Sequence, residues 1–253
     1  NREPFAVNGI VAEDISDERQ LARRGLLDGL DTLGRAMPGA APFQRFEACE
    51  ENAYAMMFGP VRQLFELSRE DDALRERYGR NTFGQSCLAA RRLVESGVPY
   101  VTINYQGWDT HKRHFQIMQQ KLPELDQGLA TLLEDLSDRG LLDTTVVWWG
   151  GEFGRGPRVD WEPPWNGGRS HYGACFSTVL AGGGVRGGRV LGASNETGEA
   201  VVERPVAPRE VLAAVYTQLG IDPDGPLPND RGVDAPVLPP APPDAPGRLA
   251  ELT

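Results

Sequence analysis

The 253-residue sequence predicts an α/β fold, mainly a parallel sheet flanked by helices, with a helical N-terminal third. Three observations carry that expectation. Apolar residues recur at helical spacing through the first third of the chain. Two apolar runs, Val98–Tyr105 and Thr144–Trp149, bracket a long helical pattern, as in a βαβ unit with parallel strands and a right-handed crossover. Polar clusters then follow both runs, where open α/β sheets place their chemistry.

The elements are justified in chain order. From Asp17 to Ala36, Leu21, Leu26, Leu27, Leu30 and Leu33 form an apolar stripe, and acidic residues open the segment as the helix dipole prefers. Helical patterns also cover 42–58, 61–67 and 69–78, with Gly59-Pro60 as a break and Ser68 as a candidate cap for the acidic turn Glu70-Asp71-Asp72. The spacing of Phe83, Cys87, Leu88, Ala90, Leu93 and Val94 predicts a helix over 82–96 that stops at Gly97. A longer one spans 115–139, with Pro123 as a kink or a new start and Gly140 closing it.

After a Gly/Pro/Trp-rich loop at 150–173, a third strand is expected over 174–181, ending in Gly182-Gly183-Gly184. A hairpin is expected over 185–193 with its turn at 186–188. Pro208 opens a last helix that runs to Leu219, and the residues from Asp222 onward read as a Pro-rich irregular tail. Residues 1–81 are thus expected to be a helical segment of the same domain, 82–221 the sheet core carrying the candidate site, and 222–253 the tail.

A hydrophobic content of 40% is enough for a core, which excludes disorder of the whole chain. The formal charge of −10 argues against a nucleic-acid partner, because phosphate backbones are bound by clustered cations. Lysine occurs only at Lys112 and Lys121, so there is no polybasic membrane patch. No run approaches the ~18 apolar residues of a membrane span. Cys49, Cys87 and Cys175 are odd in number and widely spaced, unlike a disulfide framework or a CxxC zinc site, and read as small buried hydrophobes. The start, Asn1-Arg2-Glu3-Pro4, has neither an initiator Met nor a signal pattern, so the chain reads as a trimmed or partial product.

The candidate chemistry lies in Gly107-Trp108-Asp109-Thr110-His111, Gly151-Glu152-Phe153-Gly154-Arg155 and Gly168-Arg169-Ser170-His171. Asp109 and His111 alternate with their neighbours, so in extended backbone they project to one side and reach one ion. Carboxylate oxygen and imidazole nitrogen together suit a hard or borderline divalent cation such as Zn, Mn or Ca, which activates water or polarises an ester. The alternative is an Asp helix cap beside a surface His. Glu152 follows an apolar run, where a carboxylate needs a partner: a metal ion, or Arg155 in a local ion pair. His171 lies in a polar loop. Arg155 and Arg169 match the oxygens of a sulfate or phosphate ester, or form surface ion pairs. His114 reads as a helix-start residue.

In order, Tyr78–Gln85, Ala90–Glu95, Gly107–His111, Arg139–Asp143, Gly151–Arg155 and Leu180–Gly184 closely resemble the bacterial DUF1501 family, over about Arg19 to Asp222. That family resembles a branch of the alkaline phosphatase and sulfatase superfamily, whose members use paired metal ions at the strand ends of an α/β sheet. The resemblance implies an alkaline phosphatase-like fold, with Asp109, His111 and His171 in one metal site and Glu152 in the second. Phe153 replaces the superfamily's usual His, and Ser170 the family's usual Asp, and both departures weaken a second site. The family's N-terminal Gly-Gly-x-x-His-x-Asp segment, with further ligands and the nucleophile, is not in this chain. Export to the periplasm is implied because relatives carry twin-arginine signals. The expected function is metal-dependent hydrolysis of small sulfate or phosphate esters. The alternative is a non-catalytic binding or scaffold protein that keeps the fold.

Overall fold

A computed structural model describes residues 14–30, 32, 36–37, 40–229, 231–241 and 249–252. The chain divides into two compact units, Asn1–Ile103 and Asn104–Thr253.

The described part of the first unit is helical. It contains α1 (Asp17–Leu30), α2 (Ala41–Phe58), two 3₁₀ turns (Pro60–Phe65 and Leu67–Arg69), α3 (Asp72–Tyr78) and α4 (Thr82–Glu95). The end of the first predicted helix, including Leu33, lies outside the described residues. The stripe of α1 is not buried: Leu21, Leu26, Leu27 and Leu30 are all exposed. α3 starts later than its sequence pattern, because Asp71 rather than Ser68 supplies the cap, accepting the Ala73 N–H at 2.7 Å. Asn81 caps α4 by accepting from Gly84 N at 2.8 Å. Gly84 allows the tight join of α3 and α4, since a Cβ there would lie 1.9 Å from the Tyr78 carbonyl oxygen.

The core of this unit is Leu67, Tyr78, Phe83, Cys87, Leu88, Ala89 and Ala90, in which the apolar face of α4 closes over the shorter turns. Burial pushes the Cys87 thiol up to about 12, as suits a packing residue, whereas Cys49 is exposed and Cys175 half-buried, contrary to the expectation for all three. Buried Arg91 pairs with Glu70 at 2.7 Å, and Arg92 ties the same carboxylate to the carbonyls of Gln63 and Leu64.

The second unit is built on α5 (His114–Asp138), which buries Leu125, Leu132 and Leu136, and on α6 (Pro208–Gln218). α5 continues through Pro123 as one element. Glu210 accepts the Ala207 N–H at 2.8 Å to start α6, which packs Val211 and Ala214 against Leu249. The irregular tail therefore contributes to a core, with Leu238 buried as well.

Here the expected mainly parallel, alkaline phosphatase-like sheet is overturned. The strands are short: β1 (Val147–Trp149), β2 (Gly154–Arg155), β3 (His171–Tyr172), β4 (Val179–Ala181), β5 (Ala193–Ser194) and β6 (Val201–Glu203). They form three separate antiparallel pairs, β1 with β4, β2 with β3, and β5 with β6. The run Val98–Tyr105 has the alternating exposure of an extended segment, but no strand pairs with it among the described residues. A βαβ unit needs both strands parallel in one sheet, and among the described residues the sheet that holds β1 contains only the antiparallel β4.

Gly182, Gly183 and Gly184 end β4 at positive φ, folded against residues 142–146, where a Cβ on Gly182 would lie 2.2 Å from the Thr145 oxygen. The late hairpin forms at 193–203 rather than 185–193, because Asn195 accepts the N–H groups of Glu199 and Ala200 and so fixes the turn there.

Leu88 is 0% exposed at the centre of the first unit. Leu88→Ala is expected to cost about 2–5 kcal/mol, read as a lowered midpoint for the helical unit in urea unfolding followed by circular dichroism.

Candidate metal centre

The short β2–β3 pair does what a sheet edge was expected to do. It sets Arg155 opposite His171, so one two-residue ladder delivers both side chains to the same place. The Trp108–His114 loop is laid against this hairpin by backbone bonds. Arg169 N donates to Thr110 O at 3.2 Å, Arg113 N to Trp165 O at 3.0 Å, and His114 N to Gly167 O at 3.0 Å. Gly168 makes the approach possible, since a Cβ there would fall 1.8 Å from the His111 carbonyl oxygen.

The consequence is a convergence of three potential ligand atoms. Asp109 Oδ1 lies 2.8 Å from His171 Nε2 and 3.1 Å from His111 Nε2, and the two Nε2 atoms are 3.0 Å apart. Two facing Nε2 atoms cannot both donate, so the trio presents more lone pairs than protons to one point. A divalent cation answers that imbalance. With bonds of ~2.1 Å, adjacent ligands of such an ion lie roughly 3.0–3.4 Å apart, close to the observed spacing. Among the described residues these three form the group able to hold a metal ion, and Glu152 is not in it. Glu152 instead lies exposed on the turn before β2, with Phe153 between it and the hairpin. The Phe153 ring packs on His171 at 4.3 Å between centroids.

Both arginines are occupied in holding this geometry. Arg155 donates to Asp109 Oδ1, to Trp108 O at 3.2 Å and to Arg169 O at 3.1 Å. Arg169 donates from Nε to Gly156 O at 2.6 Å and from Nη2 to Arg155 O at 3.2 Å. The Arg155 guanidinium, and after it the His171 hydrogen bond, holds the Asp109 carboxyl down at about 2, so it is an ionised carboxylate at any physiological pH.

Behind the trio, His114 is the first residue of α5, as expected, but it is also buried, with Nδ1 2.6 Å from the Thr110 hydroxyl and Nε2 3.5 Å from Arg169. Sequence reasoning had no signal for the Thr110–His114 contact or for the ring of Phe153. The adjacent glycines 167 and 168 were the readable trace of the close loop packing.

The chain thus combines a helical unit with an α+β unit that carries a two-histidine, one-carboxylate cluster. The chain belongs to the family described as "Protein of unknown function (DUF1501)", whose model matches residues 5–237. No curated protein and no solved structure matches the chain.

Two predictions arise from this geometry. Gly168→Ala is expected to push the Asp109–His111 loop off the β2–β3 hairpin and to weaken divalent-metal binding by at least tenfold, measured by calorimetry, while the circular dichroism spectrum stays unchanged. The second concerns His114. Burial, followed by the nearby charges of Arg169 and Arg155, lowers its pKa below the 6.5 of a free histidine. The folded state then binds fewer protons than the unfolded chain, so this contribution to stability is complete above pH ~6.5 and is lost as pH falls toward the folded value. The urea midpoint of the second unit is expected to drop between pH 7.5 and 5.5, and His114→Asn to remove that part of the drop.

Proposed function

We propose that the second unit is a metal-dependent hydrolase-like module acting on sulfate or phosphate esters, with Asp109, His111 and His171 as the protein ligands. The observation that carries this reading is the convergence of the three ligand atoms within 3.1 Å of one another. The cluster is open, with the side chains of Asp109, His171 and His111 68%, 49% and 40% exposed. Structural zinc sites are closed by four protein ligands, whereas three ligands facing solvent leave positions for water and substrate, the pattern of catalytic sites. A bound divalent ion would polarise the ester and lower the pKa of water at the site.

The chain's own residues would do the rest. Asp109 supplies negative charge, His111 and His171 supply neutral nitrogen, and Arg155 fixes the carboxylate from behind, as outer partners of metal ligands do. Arg169 holds the backbone on which Arg155 and His171 are mounted. Glu152 stays a candidate only for a second ion, as the family resemblance implied, since it stands apart from the trio. The hydrolase reading rests on the trio and needs no parallel superfamily sheet. Export also stays a proposal drawn from the resemblance.

A non-catalytic metal-binding role is the second reading. It is favoured by the position of Glu152 outside the trio, which leaves one group able to hold a metal ion among the described residues.

Calorimetric titration of the full chain with Zn, Mn and Ca tests the proposal. Binding of one ion per chain is expected, with losses of at least a hundredfold in Asp109→Ala and His171→Ala and of roughly 10- to 100-fold in Arg155→Gln. Equal affinity in the wild type and both ligand variants would remove these residues from any metal site.

A further inference from the structure

A cavity of about 240 Å³ opens beside the trio, lined by Arg158, Asp160, Ser170, His171, Tyr172 and Glu199, with Gly156 and Pro157 at its edge. It shares His171 with the ligand cluster, so whatever fills it is next to the metal position. The two arginines first suggested for anion binding have their N–H groups turned to carbonyls and to Asp109. Arg158 is placed differently. Its side chain is 92% exposed, and its Nε has only a long 3.8 Å approach to Asp160.

The base beneath it is nevertheless fixed. Gly156 N donates to Ser170 O at 2.9 Å, Asp160 N to Gly168 O at 3.0 Å, and Gly167 N to Asp160 O at 2.9 Å. Across the cavity the Tyr172 hydroxyl is bound to the Glu199 carbonyl oxygen at 2.5 Å. An exposed guanidinium thus stands on a hydrogen-bonded rim, in a cavity that also reaches His171.

We infer that Arg158 is the anion-contacting residue of this site, and that the cavity receives the sulfate or phosphate group of the ester beside the metal. The inference rests on the metal-centre reading above. A guanidinium offers paired N–H groups that match two oxygens of such an anion. The rest of the wall sets a condition on that binding. Asp160 and Glu199 share the cavity with Arg158, while Asp109 beside it is already paired with Arg155, so the cavity's own cation faces two carboxylates. An anion is repelled until a divalent ion reverses the balance. Metal therefore binds first and the anion second.

The test is calorimetric titration of inorganic phosphate into the full chain, with and without one equivalent of Mn. Wild type is expected to bind phosphate only when Mn is present. Arg158→Gln is expected to weaken phosphate on the order of tenfold or more, and Arg158→Lys by less. Mn affinity should be the same in all three proteins, which separates this role from that of Arg155. Equal phosphate affinity in wild type and Arg158→Gln, or no phosphate binding to the Mn-loaded wild type, overturns the assignment. If the wild type takes up no Mn, the metal reading fails on its own. The metal-free titration then decides the cavity: phosphate binding lost in Arg158→Gln keeps Arg158 as the anion contact, and no binding removes it.

Discussion

The site depends on two crossed arginines. Arg155 reaches from β2 to the Asp109 carboxylate and the Trp108 carbonyl, while Arg169 reaches back to the carbonyls of Gly156 and Arg155. In an extended sheet, neighbouring strands would fix the ends of two loops. Here two residues of ladder on each side are all the sheet there is, and guanidinium groups replace the missing backbone bonds. Each planar guanidinium satisfies several carbonyls at once in a fixed fork, which a lysine ammonium does not reproduce. The scarcity of lysine and abundance of arginine in this chain fit that use.

The same substitution of side chains for sheet explains what was legible in the sequence. The helices with a buried face were readable, because a repeat such as Phe83, Cys87, Leu88 and Ala90 is a local property and the cap at Asn81 is local too. Strands were not. The apolar run Val98–Tyr105 has the composition of a strand, yet a strand exists only through its partner, and partner choice is a long-range matter on which the run itself is silent. Thr144–Trp149 found its partner at Val179–Ala181 in the antiparallel sense, and the inferred crossover disappeared with that pairing.

The candidate site was partly readable for a related reason. Asp109 and His111 are two residues apart, so their side chains stay close in the chain, and they meet at 3.1 Å around a tight turn in which Thr110 N donates to Trp108 O at 2.9 Å. His171 joins them through the β2–β3 hairpin, which the glycines around it hinted at but did not specify. Glu152 was placed by analogy with a strand end. At this short ladder, moving three residues from Glu152 to Arg155 changes which side chain faces the cluster, and it is Arg155 that does so. Arg158, one turn of chain further, drew no attention because nothing local distinguishes an arginine over a cavity from one in solvent.

Charge decides how such a site works. Asp109 stays ionised because Arg155 faces it, yet the same guanidinium partly cancels the negative field that draws a cation in. In the proposed site the two imidazoles would carry much of the ligation, which favours a borderline ion that accepts nitrogen over one that demands oxygen alone. Calcium is the least suited of the three ions considered, since it takes six to eight oxygens. The same argument bears on the neighbouring cavity, whose carboxylates leave Arg158 outnumbered. In the proposed site only a bound ion would turn the combined surface positive enough to hold an anion, so occupancy of the metal position and affinity for the anion would be coupled by simple electrostatics. By linkage that coupling is reciprocal, and an anion in the cavity must in turn tighten the hold on the ion.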